Sequence, residues 1–189
     1  MKRDQEERLF QTLARYADIH VGEQRTLGVK LRSQELKKND YFIRQGGQNR
    51  RIAFIVSGLF RVYCIDESGS DKTLAFRDQG RLLAAYSPFI QRKDVWYSIQ
   101  ALTDAEIIYF EFAELISLMG QHPCWETLEK NYIIELFIEK EDRERSFLLE
   151  DAATRYTLFC KRYPAIEKKV SQFYIASYLG ISPVSLSRI

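Results

Sequence analysis

Val170–Ile189 reads VSQFYIASYLGISPVSLSRI, and its residue chemistry is that of helix, tight turn, helix. Ser171 is a hydroxyl placed to cap a first helix. Phe173, Ile175, Ala176 and Leu179 give that helix an apolar side. Gly180 stands where a left-handed turn residue is required, and Ile181 follows as a core plug. Ser182 caps a second helix, with Pro183 at its first position, where a missing N–H costs nothing. Leu186 and Ile189 are expected to face inward, leaving Val184, Ser185, Ser187 and Arg188 outside. This is the layout of a DNA-reading helix-turn-helix, whose second helix enters the major groove. The plain alternative is two packed helices at the end of a domain.

Charge favours the first reading. From Ala152 to Ile189 the bases are Arg155, Lys161, Arg162, Lys168, Lys169 and Arg188, against one acid, Glu167. The segment carries +5, whereas the rest of the chain carries −3 and the whole only +2. A basic end around such a motif suits contact with phosphates.

The remaining bulk properties exclude several classes. The 189 residues, 46% hydrophobic and 29% charged, suit one full domain and a small second one in an ordinary globular protein. No apolar run is long enough for a membrane span, and the opening MKRDQEERLF is charged, so neither a signal peptide nor a membrane partner is expected. Cys64, Cys124 and Cys160 lie far apart and form no C-x-x-C pair, so they read as small buried side chains in a reducing, cytoplasmic compartment. His20 and His122 are isolated. With no cluster of His and carboxylates, a metalloenzyme is set aside, and no catalytic residue, metal or cofactor is expected.

Taken from its beginning, the chain changes period twice. Asp4–Ala17 predicts an amphipathic helix with Leu9, Phe10, Leu13, Tyr16 and Ala17 on one face. Val21 to Ser33 shows no clear period and is assigned no element. The period then becomes that of strands, first in Leu36–Arg44, which contains Asn39-Asp40 and an apolar Tyr41-Phe42-Ile43, and short strands follow at Ile52–Val56, Leu59–Ile65, Lys72–Phe76, Ser98–Leu102 and Glu106–Phe110. Turns are predicted at Gly46-Gly47, Ser57-Gly58, the hairpin loop Asp66–Asp71, Asp78–Gly80 and Thr103-Asp104. Many short strands with polar turns predict an antiparallel roll. Phe112, Leu115, Ile116 and Met119 then mark a helix ended by Gly120. Pro123 opens a long helix from about Cys124 to Leu149. Its apolar residues Trp125, Leu128, Tyr132, Ile133, Leu136 and Phe137 suit an interface with a second subunit, the alternative being a helix packed on its own roll. Its charged end, Glu139–Arg145, predicts the i,i+4 pairs Glu139/Arg143 and Glu141/Arg145. Ala152–Tyr163 predicts a further helix, stopped by Pro164. The fold class is therefore α+β: a roll at residues 1–121, a dimerising helix at 122–150 and a helix-turn-helix domain at 151–189.

This order resembles the Crp–Fnr family of bacterial transcription regulators. The resemblance rests on Leu36–Gly46 (LKKNDYFIRQG), on Ile52–Tyr63 (IAFIVSGLFRVY), and on Ile175–Pro183 with Leu186–Ile189, the last similar to a branch common in Bacteroidetes-type bacteria. It implies an N-terminal cyclic-nucleotide-binding-type roll, a homodimer, and sequence-specific control of transcription on double-stranded DNA with two-fold-symmetric half-sites. RNA polymerase and a small-molecule effector are further partners it implies. In the family, positions matching Pro183, Val184, Ser185 and Arg188 face DNA. Arg188 suits a bidentate guanine contact or a phosphate clamp, and Val184 a thymine methyl. Ser171, Gln172, Ser182 and Ser185 suit phosphate contacts, with Ser187 beside them.

The departures from the family pattern carry equal weight. The family's cyclic-nucleotide pocket shows a Gly-Glu pair and, further on, an Arg-Ser/Thr pair. Here the matching run, Gly80–Phe89 (GRLLAAYSPF), has no Gly-Glu, and Val95-Trp96-Tyr97 precedes Ser98 where the Arg should stand. Burying a cyclic phosphate beside Trp and Val without a cation is costly. Arg92-Lys93 is the available substitute, though such a pair reads more readily as a solvated loop tip. The roll is therefore expected not to take cyclic AMP in the usual way. A pocket lined by Leu82, Tyr86, Phe89 and Trp96 is expected to hold an apolar ligand or to be filled by side chains. No cysteine precedes Cys64, so the N-terminal iron–sulfur cluster of oxygen-sensing members is not expected. The chain ends at Ile189, inside the second helix, and further basic residues are expected beyond it. The competing functional reading is a ligand-sensing or protein-interaction module whose helix-turn-helix no longer binds DNA.

Overall fold

The computed structural model describes residues 3–164 and 166–189. Among these the chain divides into two compact units. The first holds the chain up to Val62 together with Phe76–Ile134, and the second holds Tyr63–Ala75 with Glu135–Ile189.

In the first unit, α1 (Arg3–Leu13) and α2 (Val21–Gly28) precede two four-stranded antiparallel sheets. One sheet has the order β1 (Arg32–Leu36), β8 (Ala105–Glu111), β3 (Arg51–Ser57), β6 (Leu82–Ala84). The other has β2 (Tyr41–Ile43), β7 (Ser98–Ala101), β4 (Leu59–Ile65), β5 (Asp71–Asp78), and the end of β4 and the start of β5, within Tyr63–Ala75, belong to the second unit. Two helices complete the unit, α3 (Tyr86–Gln91) and α4 (Phe112–Met119), along with the start of α5 (Pro123–Leu149).

Residues 52–56, IAFIV, have no polar alternation because both faces of β3 are covered. In the antiparallel register Ile52 lies opposite Phe110 and Phe54 opposite Ile108. Ile52, Phe54, Val56, Leu82, Ile108 and Phe110 face a core built with Leu9, Phe10 and Leu13 of α1, Leu27 of α2, Phe112, Leu115 and Leu118 of α4, and Trp125 and Leu128 of α5. The alternate residues Ala53, Ile55, Leu83 and Ile107 face the opposite way, toward Phe42, Phe60, Ile99 and Ala101 in the roll interior. One sheet thus separates two cores, as a period of two requires.

The turn between β3 and β4 is made at Gly58, with φ of 104°. A Cβ there would lie 2.4 Å from that of Ala105, so glycine answers both the backbone angle and the close approach.

Several expectations meet the structure directly. Leu59–Ile65 is strand β4 with the predicted bounds, and the buried Leu9, Phe10, Leu13, Tyr16 and Ala17 are those expected, although α1 itself stops at Leu13. The segment assigned no element contains α2 and the first residues of β1. Both are short, and α2, VGEQRTLG, buries only Leu27, so no apolar period marks it. β6 and α3, which hold only three and six residues, were likewise without a periodic signal. Of the cysteines, Cys124 is buried, while Cys64 and Cys160 are only half-buried.

In the second unit, the long helix α5 continues to Leu149, 27 residues in all and about 40 Å at 1.5 Å per residue. Asp151 caps α6 (Ala152–Arg162), its carboxylate accepting from the Thr154 N–H at 2.8 Å. Then come α7 (Gln172–Leu179) and the single turn α8 (Pro183–Leu186). No helix among the described residues is long and apolar enough to cross a membrane.

Candidate nucleic-acid interface and ligand sites

The α7–turn–α8 segment forms from local chemistry. The Ser171 hydroxyl accepts from the Phe173 N–H at 3.3 Å. Gly180 is left-handed, with φ 71° and ψ 30°. The next N–H, that of Ile181, reaches back to the Ala176 carbonyl at 3.0 Å, which closes a Schellman-type C-cap. The Ser182 hydroxyl accepts from the Ser185 N–H at 3.0 Å, with Pro183 opening α8.

Ile175, Ala176, Leu179 and Leu186 are buried. Two apolar residues depart from expectation. Phe173 is 50% exposed, because it lies about 200° around the helix from Ile175; its ring meets that of Tyr174 edge-on at 5.8 Å. Ile189 is 49% exposed, because α8 closes at Leu186 and does not carry it back to the buried face. Ile181 is half-buried rather than a full plug.

All eight residues assigned to DNA contact, Ser171, Gln172, Ser182, Pro183, Val184, Ser185, Ser187 and Arg188, are exposed. Several hydroxyls among them already have partners within the segment. Ser182 and Ser185 share a bond at 2.9 Å, and Ser187 donates to the Val184 carbonyl at 2.8 Å. Arg188 stands one residue past the C-cap of α8.

Beneath this segment sits Arg143, from the charged run Glu139–Arg145. The Arg143 guanidinium donates to the carbonyls of Leu74, Thr73 (3.2 Å) and Tyr178 (3.1 Å). It also stands 4.5 Å from the Tyr178 ring centre and 5.2 Å from that of Phe147. Burial pushes its pKa below the usual guanidinium value, a change with no consequence near neutral pH. Arg155 stands 5.1 Å from the Phe147 ring centre and donates to the carbonyls of Leu179 (3.2 Å) and Glu150 (2.6 Å).

The Tyr63–Ala75 hairpin is held a second time by Ser177. Its hydroxyl accepts from the Thr73 N–H at 2.8 Å and donates to the Asp71 carbonyl at 3.0 Å. Glu139 pairs with Arg162 at 2.6 Å, not with Arg143, and Arg145 lies 3.7 Å from Asp142. In place of Glu139, Arg143 takes tertiary partners, since a partly buried guanidinium is better served by three fixed carbonyls than by an exposed i,i+4 contact, whereas Arg145 has a local i,i+3 neighbour, Asp142, on its own helix.

The residues assigned to a subunit interface divide. Trp125 (1% exposed) and Leu128 (6%) are inside the core of the first unit, and the Trp125 indole N–H donates to Glu23 at 2.8 Å. They cannot serve a second subunit, because the helices flanking the roll already cover them. Tyr132 packs against the same core, edge-on to Tyr16 at 5.4 Å. Ile133 and Leu136 are half-buried, and Phe137 is 63% exposed. Ile134 and Ile138, not singled out from the sequence, are exposed beside Phe137 at i, i+3, i+4 spacing. Their signal is an apolar run broken only by Glu135, IIELFI, too broad for one face of a helix.

The proposed roll pocket is not assembled as expected. Leu82, Tyr86 and Phe89 lie on the helix-covered side of the sheet, not in the roll interior. Phe89 stacks on Phe112 with ring centres 4.1 Å apart, and Tyr86 lies 6.0 Å from the same ring. The Tyr86 hydroxyl donates to Glu129 at 2.8 Å; burial, then this bond, pushes its pKa up to about 12. Trp96 is exposed, edge-on to Tyr97 at 5.0 Å. The physical reason is the register of β6, which turns Leu82 outward and Leu83 inward. Arg92 and Lys93 are exposed at the left-handed end of α3.

Residues 33–122 match the family model of the cyclic nucleotide-binding domain. No curated protein matches the chain in sequence. Among solved structures, the chain is similar to the c-di-GMP-responsive global regulator CLP of Xanthomonas campestris, with 12% identity, 89% of each chain covered and a TM-score of 0.72. It is also similar to FixK2 of Bradyrhizobium japonicum (15% identity, 84% of this chain and 81% of that one, TM-score 0.68). A third likeness is to a CooA mutant of Carboxydothermus hydrogenoformans (18%, 86% and 75%, TM-score 0.66). The fold is thus a cyclic nucleotide-binding-type β-roll followed by a long helix and C-terminal helices.

Proposed function

We propose that this chain is a dimeric, sequence-specific DNA-binding transcription regulator. The observation that carries the reading is the α7–turn–α8 segment: Gly180 and Ser182 set the turn, and Pro183, Val184, Ser185 and Arg188 are left on its open side. Lys168 and Lys169, exposed just before α7, add phosphate-seeking charge. In this reading α8 enters the major groove as a recognition helix, and the domains follow the division 1–121, 122–150 and 151–189. Ile134, Phe137 and Ile138, flanked by Ile133 and Leu136, form the apolar strip of α5 that a second copy covers.

The roll in this reading does not respond to cyclic AMP. The N-cap of its α3 is Ala85, which offers no side-chain cap, and the segment before Ser98 supplies buried Val95 and exposed Trp96 in place of a cation. Arg92 and Lys93, at the far end of α3, are solvated. Any effector of the roll is then of other chemistry.

The test is selection of binding sites from a random duplex library at fixed salt, with and without cyclic AMP. Two-fold-symmetric half-sites enriched equally in both arms are the expected result. Enrichment only with cyclic AMP overturns the reading of the roll. No enrichment in either arm favours a protein-interaction module over a DNA reader.

A further inference from the structure

The second unit contains a cleft of about 350 Å³ between the last turns of α5, α6 and the C-terminal end of α7. Its lining holds five cationic side chains, Arg143, Arg145, Arg155, Lys161 and Arg162, and one acidic one, Asp142. Three of the cations have carboxylate neighbours: Arg162 pairs with Glu139 at 2.6 Å, Arg145 reaches Asp142 only at 3.7 Å with both side chains well exposed, and Arg155 acts on Asp151 through its charge. Arg143 and Arg155 are held differently. Carbonyl oxygens and the Phe147 ring fix their guanidinium planes without cancelling their charge. Positive charge therefore converges on a concave, partly apolar site, where an anion is attracted more strongly than on an open surface.

We propose that this cleft binds a phosphate-bearing small molecule of mononucleotide size. Phosphate suits the site better than a single carboxylate, because its oxygens accept from several guanidinium and ammonium donors at once. Leu158 and Phe159 supply an apolar wall for the organic part. The volume lies in the range of small-molecule sites, roughly 300–1,000 Å³. The concavity argues against a duplex, whose phosphates follow an open face. The site lies within the second unit, its lining does not include α8, and its ligand binding does not depend on DNA being the partner.

The test is calorimetric titration of the full chain, without DNA and at low ionic strength, with AMP, pyrophosphate and adenosine. The variants Arg145→Gln and Lys161→Gln remove exposed charges and leave the core intact. Saturable binding of AMP and of pyrophosphate, no binding of adenosine, and a loss of about tenfold in AMP affinity in each variant are expected. Adenosine binding as well as AMP, no saturable binding of either phosphate compound, or variants equal to the wild type overturns the proposal. In a parallel arm, loss of duplex affinity in both variants without competition by AMP would make these cations DNA-backbone contacts and likewise overturn it. A failure of DNA selection with AMP binding intact removes only the DNA reading.

Discussion

Arg143 of α5 donates to the main-chain carbonyl of Tyr178 at 3.1 Å while standing 4.5 Å from the centre of the same residue's ring. One side chain thus joins the long helix to the end of α7, and its bonds to Thr73 and Leu74 add the β4–β5 hairpin. Replacing it strands three carbonyls in a half-buried setting. Arg143→Met, which keeps much of the side-chain volume, is expected to cost about 2–4 kcal/mol in urea unfolding of the second unit. A loss below about 0.5 kcal/mol, the size of an ordinary surface change, contradicts this assignment.

Gly180 meets two demands at once. Its φ is +71°, and a Cβ would lie 2.7 Å from Cε1 of Phe147. Gly180→Ala is expected to lower stability by about 1–3 kcal/mol, since the left-handed backbone and the ring contact both oppose it. Thermal unfolding followed by circular dichroism measures this, and an unchanged midpoint refutes it.

Ser182→Ala removes the acceptor for the Ser185 N–H while leaving Pro183 in place. A loss of about 1 kcal/mol is expected, with Ser182→Gly costing less. If α8 reads DNA, the same change weakens duplex binding through disorder of the recognition turn. Arg188→Ala instead weakens it by about 1–3 kcal/mol with relaxed specificity and unchanged stability. Comparison of unfolding curves with fluorescence anisotropy on a selected duplex separates the two effects.

Phe137→Glu and Ile134→Glu place charge on the exposed strip of α5 without touching the core that holds Trp125 and Leu128. Sedimentation equilibrium is expected to show a dimer for the wild type and a monomer for either variant, because an unpaired carboxylate buried at an interface is strongly unfavourable. A dimer retained by both variants assigns the contact elsewhere.

Asp151 accepts from the Thr154 N–H, and this bond holds its carboxyl below the usual carboxylate value. A depressed folded-state pKa stabilises above the unfolded-state value and ceases to do so as pH falls through the folded-state value. The stability difference between wild type and Asp151→Ala is therefore expected to be constant near neutral pH and to shrink only in the acid range. Urea midpoints measured from pH 7 down to pH 3 test this, and a difference that grows on acidification contradicts it.

The turn chemistry was legible because it is local. Ser171, Gly180, Ser182 and Pro183 each act within a few residues, so order along the chain already states their partners. The same holds for Leu59–Ile65 as a strand and for the face of α1. The roles of Arg143 and Glu139 were not legible, because their partners lie 23 to 70 residues away in sequence and leave no periodic trace. Nor was the split of α5, whose apolar run looks uniform until the roll's own helices and sheet cover Trp125 and Leu128 and leave Phe137 bare. The pocket assignment failed for a related reason. Alternation within β6 specifies that Leu82 and Leu83 face opposite ways, but only pairing with β3 decides which of them meets the helices. By itself, then, the sequence determined where elements stop and how they are capped, through contacts a few residues long. Tertiary structure decided which face of each element is covered and which charges are buried, because those outcomes depend on surfaces brought together from distant parts of the chain.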